Sequence, residues 1–167
     1  MGKLFLNVGV VVFFSLLTVA LLLMVNDEGS PIQEGQPVSF ELSGESEFWS
    51  LSRYQIAIEP MQLIAGDGVL TFKDDYRETD YFYYTVMANV NGEQQTISTT
   101  TVHMKDGNKI EIDEFEMGET KLGGYFYNVD GGPVTEEDIW QIYVILEWHD
   151  PNGEMVYDQI LLYQSNV

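Results

Sequence analysis

Cysteine is absent from this 167-residue chain. The sequence therefore excludes disulfides, a thiol nucleophile, thiolate metal ligands and a lipoprotein cysteine, so stability must come from packing alone. An exported domain without disulfides fits a Gram-positive bacterium or an archaeon better than a eukaryotic secretory route.

Positive charge is scarce as well. All 27 acidic residues but only six of the seven Lys and Arg residues follow Asn26, so the chain beyond that point carries 21 net negative charges. Such a field repels phosphate backbones and anionic lipid headgroups, which argues against nucleic-acid binding. We interpret the charge as a means of solubility and mutual repulsion rather than as the sign of a specific cationic ligand.

Sequence motifs of catalysis are also lacking. No Gly-x-Ser-x-Gly elbow, Ser-x-x-Lys, His-Glu-x-x-His or P-loop occurs in the chain. The only two histidines, His103 and His149, lack the sequence pattern of an activated nucleophile, and we interpret them as ordinary surface residues. The sequence predicts a protein that is not an enzyme and needs no cofactor.

One long apolar run is present near the N-terminus. Residues 4–25 contain no charge, and as a helix they would reach about 33 Å, enough to span the hydrocarbon core of a bilayer. No Ala-x-Ala-like cleavage site follows, which favours an uncleaved transmembrane anchor over a cleaved signal peptide. Lys3 before the run and acidic residues after it predict that residues 1–3 lie in the cytoplasm and residues 26–167 lie outside the cell membrane.

The rest of the chain has the pattern of a β-rich domain. Residues 26–37 are polar, acidic and contain Gly and Pro, which is typical of a short stalk. From residue 38 onward, apolar and polar residues alternate with the period of half-buried strands. Gly66-Asp67-Gly68 predicts a hairpin turn between residues 61–65 and 69–72, and Asn91-Gly92 predicts another after Tyr81–Val90.

The C-terminal third gives the clearest strand pattern. A capping box at Thr135–Asp138 allows a single helical turn before it. A turn at residues 150–153 then joins two long strands. The first of these strands is predicted to place five apolar side chains on one buried face: Trp140, Ile142, Val144, Leu146 and Trp148.

These patterns predict an all-β fold over residues 38–167. About eight to ten short strands with frequent turns favour an immunoglobulin-like or jelly-roll β-sandwich, preceded by the one transmembrane helix. The resemblance to immunoglobulin-like domains lies in the pattern only, because their Cys…Trp…Cys spacing is missing. A closed barrel is the alternative architecture.

Two sets of residues are candidate sites. Asp74, Asp75 and Asp80 flank one charged loop and could supply carboxylate ligands to calcium, although solvated charge is the preferred interpretation. Phe48 and Trp49 lie in a polar stretch and could contact a partner, a sugar or lipid headgroups; the preferred alternative places Trp49 in the core. The other acidic clusters are Asp113, Glu114, Glu116 and Glu119, and Glu136, Glu137 and Asp138.

Three functions remain open at this point. The leading hypothesis is a non-enzymatic interaction or accessory domain, anchored in the membrane by residues 4–25 and bound to another envelope or membrane protein. The second is a single-pass accessory subunit of a larger membrane complex, in which Gly9, Ser15 and Thr18 would let another helix approach. The third is an extracytoplasmic hydrolase, for which the required set of catalytic residues cannot be assembled from the sequence.

Overall fold

The alternating sequence folds almost entirely into β-strands. The computed structural model describes residues 37–59, 62–123 and 132–165, so the predicted anchor and all of the stalk except Pro37 lie outside the described residues. Within the described ranges, no helix is long and apolar enough to cross a membrane. The strands are β1 Val38–Glu45, β2 Trp49–Glu59, β3 Gln62–Gly66, β4 Gly68–Phe72, β5 Glu78–Thr79, β6 Tyr81–Val90, β7 Glu93–His103, β8 Ile110–Glu111, β9 Glu114–Met117, β10 Thr120–Gly123, β11 Ile139–His149 and β12 Met155–Gln164.

The strands form two main sheets in which every pairing is antiparallel. In the first sheet the order is β10-β3-β2-β4-β9, and β1 pairs with the other side of β2. In the second sheet the order is β12-β11-β6-β7, and β5 and β8 form a separate short pair. The all-β prediction is confirmed, and the two sheets are consistent with a β-sandwich.

A cluster of aromatic rings joins the two sheets. The ring of Trp49 in β2 lies 4.8 Å from that of Phe72 in β4, 5.2 Å from that of Phe82 in β6 and 5.7 Å from that of Trp148 in β11. Trp49, Phe82 and Trp148 have no exposed surface. Because large aromatic side chains bury the most apolar area, this cluster is a major source of the packing that replaces disulfides.

The segment Gly66-Asp67-Gly68 is not a hairpin turn, and this part of the prediction is wrong. Gln55 pairs with Gly66 and Ser52 pairs with Val69, so β3 and β4 follow one another along β2 instead of pairing together. On the side of β3 and β4 that faces away from β2, β10 pairs with β3 and β9 pairs with β4, so β9 and β10 also follow one another along one line. Positive φ angles at Gly66 (150°) and Asp67 (57°) bend the strand without reversing it.

The predicted burial of Trp140 is also wrong. The β11 register shifts between Ile139 and Gln141 where β11 pairs with β6, so Ile139 takes the core position and Trp140 points outward. Ile139 is fully buried, whereas Trp140 is 49% exposed. A one-residue bulge exchanges the two faces of a strand, and strict alternation cannot anticipate it.

Several local predictions are confirmed. β6 and β7 join through Asn91 and Gly92, both with positive φ, as a tight hairpin requires. The turn after His149 is held by a hydrogen bond from Gly153 N to Asp150 O. A 3-10 turn covers Glu136–Asp138, and a capping box joins Thr135 to Asp138.

Candidate functional site

The three candidate calcium ligands have different surroundings. Asp80 Oδ1 lies 2.8 Å from His149 Nδ1, whereas Asp74 Oδ1 accepts a hydrogen bond from the backbone of its neighbour Asp75. In the part of the chain that the structure describes, no group of three or more His, Cys, Asp or Glu side chains is arranged to hold a metal ion. The geometry thus gives a calcium site no support.

The two histidines lie on either side of one tyrosine. The Tyr81 ring is 5.2 Å from the His149 ring and 6.0 Å from the His103 ring. The hydrogen bond from His149 is the main cause that lowers the pKa of Asp80. Thr79 Oγ1 accepts a hydrogen bond from His149 N and contacts the carbonyl of the same residue, so this cluster fixes the corner between β5 and β11.

Phe48 and Trp49 differ in their exposure. Trp49 has no exposed surface, so no partner can contact it in this fold. It lies in the core, as the preferred alternative from the sequence predicts. Phe48 is half-buried, and its ring lies 5.6 Å from that of Trp148. Its backbone N–H donates to Asp158 Oδ2, which ties the β1–β2 connection to β12. Both residues therefore serve the packing of the sandwich.

The outer face of the second sheet is a candidate site that the sequence alone did not indicate. The inward residues of β6 and β11 belong to the core, so their alternate residues point away from it. Cross-strand pairs then place these outward residues side by side across the sheet. We call the following set the outer tyrosine face: Tyr83, Met87, Tyr143, Ile145, Tyr157 and Leu161.

The outer tyrosine face is mostly apolar and partly open, and the carboxylate of Glu147 belongs to the residue that pairs with both Tyr83 and Tyr157. Tyr157 is 64% exposed and Leu161 is 43% exposed on the edge strand β12. Tyr143 is only 7% exposed, although it does not belong to the inner core cluster. Thr99 and Thr101 on β7 continue the face with hydroxyl-bearing, β-branched side chains. The surface is therefore broad and has a closely packed centre.

Charge separates the two outer faces of the domain. Glu147 is the one carboxylate among the outward residues of the described second sheet, and no Lys or Arg lies there. By the same alternation and register, the outer face of the first sheet is strongly charged. Its charged residues are Glu41, Glu45, Glu59, Glu114, Glu116 and Lys121.

Alternation in β6 and β11 could have revealed part of this face, because Tyr83, Met87, Tyr143 and Ile145 occupy the positions between core residues. Because β6 and β11 carry apolar residues at both inward and outward positions, their sequences indicate that the outer face of the sheet is also partly buried or apolar. No protein-family model, curated protein or solved structure matches this chain.

Proposed function

We propose that this chain is a non-enzymatic interaction domain, held outside the cytoplasm by the helix predicted at residues 4–25, and that its outer tyrosine face binds another envelope or membrane protein. The supporting observation is the contrast in charge between the two outer faces of the domain. Five glutamates lie on the outer face of the first sheet, whereas the outward residues of the described second sheet include a single carboxylate, Glu147, which pairs with Tyr83 and Tyr157.

The chemistry of the face favours a protein partner. Centres of protein interfaces are depleted in charge and enriched in tyrosine and methionine, as this face is. Burial of one large side chain such as Tyr157 or Leu161 stabilises a complex by about 1.5–3 kcal/mol before the cost of association. The partner surface should accordingly be neutral and apolar.

Self-association is the less favourable alternative. Each copy carries 21 net negative charges beyond Asn26, and these repel a second copy at low ionic strength. A heterologous partner without strong negative charge avoids that repulsion. We therefore propose a different protein, which is either a transient partner or the core of a complex in which this chain is an accessory subunit.

Site-specific photo-crosslinking in intact cells tests the face. A photoreactive amino acid replaces Tyr157, and a matched control replaces Gln55, which is exposed on the outer face of the first sheet. We expect one protein adduct from position 157 that position 55 does not give. The introduction of Tyr83→Asp into the same chain should abolish it, since a buried unpaired charge opposes docking.

The adduct identifies a partner, and binding of that purified partner to this chain is the second step of the test. The crosslinked protein, purified separately, should bind the full chain and lose affinity about tenfold or more with Tyr83→Asp. Identical adducts from both positions, or an adduct between two copies, would overturn the proposed heterologous interface. Co-purification in mild detergent then separates a stable subunit from a transient partner.

N-terminal sequencing of the membrane fraction tests the anchor independently. An uncleaved helix gives a protein that begins at or near Met1. A mature start within residues 26–31 would make the chain a secreted protein and remove the proposed anchor.

A further inference from the structure

A row of amide side chains crosses the second sheet at one end of its outer surface. Gln94 in β7 pairs with Asn89 in β6, Asn89 pairs with Gln141 in β11, and Gln141 pairs with Gln164 in β12. Directly opposed residues share a face, so the four amides form one row. With strands about 4.8 Å apart, this amide row is about 14 Å long.

The amide row is neutral and rich in hydrogen-bonding groups. Each amide offers both a donor NH2 group and an acceptor oxygen. Asn89 Oδ1 accepts a hydrogen bond from Gly92 N at 2.8 Å, which fixes the orientation of that side chain. Among the described residues, no hydrogen bond engages the side chains of Gln141 or Gln164. A ligand can therefore use their donors and acceptors.

Trp140 lies beside this row because the β11 bulge turns it outward. A Cβ atom placed on Gly92 would be 3.7 Å from Cζ3 and 3.8 Å from Cη2 of the Trp140 ring, so the β6–β7 turn supports that ring. The ring is nevertheless 49% exposed. Trp140, Asn89, Gln141 and Gln164 line one cleft of about 360 Å³ together with Ser165.

We propose that this cleft and the amide row bind a neutral oligosaccharide. Sugar rings present C–H faces that pack on an indole ring, and their hydroxyls both donate to and accept from amides. The site holds both groups side by side, without a lysine, an arginine or a carboxylate among its named members. The length of the row suits several linked sugars rather than one.

Charge selects the class of saccharide. The field of the acidic domain disfavours uronic acids, phosphorylated glycans and anionic lipid headgroups. This proposal is independent of the outer tyrosine face, because the two sites share no residue. Either can fail without the other.

The fluorescence of Trp140 provides a direct test. The chain has three tryptophans, and Trp49 and Trp148 are fully buried, so acrylamide quenching reports on Trp140. The full chain is studied in a polyoxyethylene detergent, since maltoside and glucoside detergents themselves present neutral sugars. The probes are cellohexaose, chitohexaose, xylohexaose and maltohexaose, with hexagalacturonic acid as the anionic control.

We expect at least one neutral hexasaccharide to shield Trp140 from acrylamide and the anionic control to have no effect. By calorimetry, Trp140→Ala should weaken binding about tenfold or more, and Gln141→Ala or Gln164→Ala about two- to tenfold. Met155→Ala, which changes an exposed apolar residue at the far end of the same strand from Gln164, should leave the affinity unchanged. Circular dichroism checks that each variant folds.

Two results would overturn the proposal. One is the absence of shielding by all four neutral probes; if phosphatidylcholine vesicles shield Trp140 in that case, Trp140 is a membrane-surface contact. The other is binding that Trp140→Ala leaves intact, since the ligand would then lie elsewhere.

Discussion

Alanine substitutions at four glycines can show why Gly66 is needed at the bend between β3 and β4. The four positions differ in two properties, a positive φ angle and the close approach of a neighbouring atom. Gly66 combines a positive φ of 150° with a close approach, because an added Cβ would lie 2.7 Å from both Glu119 Cα and Gly118 O. Gly107 has a positive φ of 76° but nothing within 4 Å. Gly44 has only the close approach, with Leu161 O at 2.5 Å.

Alanine at these positions should give graded losses of stability. Gly107→Ala costs about 1–2 kcal/mol through its left-handed backbone, and Gly44→Ala costs about 1–3 kcal/mol through overpacking. Gly66→Ala carries both penalties, about 2–5 kcal/mol in sum. Gly118→Ala has neither, and should be neutral or stabilise by about 0.5 kcal/mol because it reduces the entropy of the unfolded chain.

Urea unfolding followed by circular dichroism measures these differences, with a shift in Tm of about 4 °C per kcal/mol as a check. If Gly66→Ala lowers the free energy of unfolding no more than Gly107→Ala does, the β9–β10 segment can shift to make room for the added methyl group at little cost. The close approach of Gly118 and Glu119 would then not be what fixes the bend.

Three further predictions concern hydrogen bonds and charge. Asp80→Asn should destabilise the domain at neutral pH. The pKa of Asp80 is lower in the folded than in the unfolded chain, so the difference in stability from the unsubstituted chain should begin to shrink as pH falls below about 4 and should vanish once pH is below the folded-state pKa. A difference that stays at its neutral-pH size at pH 2 would contradict this role of the bond to His149. Tyr76→Phe should cost about 1–3 kcal/mol, since it leaves the buried Trp148 Nε1 without its 2.7 Å partner, whereas Tyr157→Phe at the surface should cost almost nothing. Sodium chloride should raise the melting temperature, because it screens the repulsion among 21 net negative charges. Calcium should raise the melting temperature no more than magnesium does at equal ionic strength. A calcium-specific rise that Asp75→Asn abolishes would refute the interpretation of Asp74, Asp75 and Asp80 as solvated charges.

Local chemistry explains what could be predicted from the sequence. Asn91-Gly92 supplies two residues that tolerate positive φ, so the β6–β7 hairpin follows from its two turn residues. The Thr135–Asp138 capping box likewise acts within four residues. Alternation alone placed Ile142 and Val144 in the core, because period 2 is a property of any extended strand.

Tertiary structure decided which strands became neighbours and where their registers shift. Gly66-Asp67-Gly68 has the composition of a turn, but β2 offers a longer partner to both flanking segments, so the chain bends and continues. The bulge that exposes Trp140 depends on how β11 pairs with β6, which is a contact between distant parts of the chain. The amide row exists only after four strands align, and no spacing along the sequence brings Gln94, Asn89, Gln141 and Gln164 together. Periodicity therefore determined that this protein is built of strands, whereas pairing between distant strands determined which side chains share a surface.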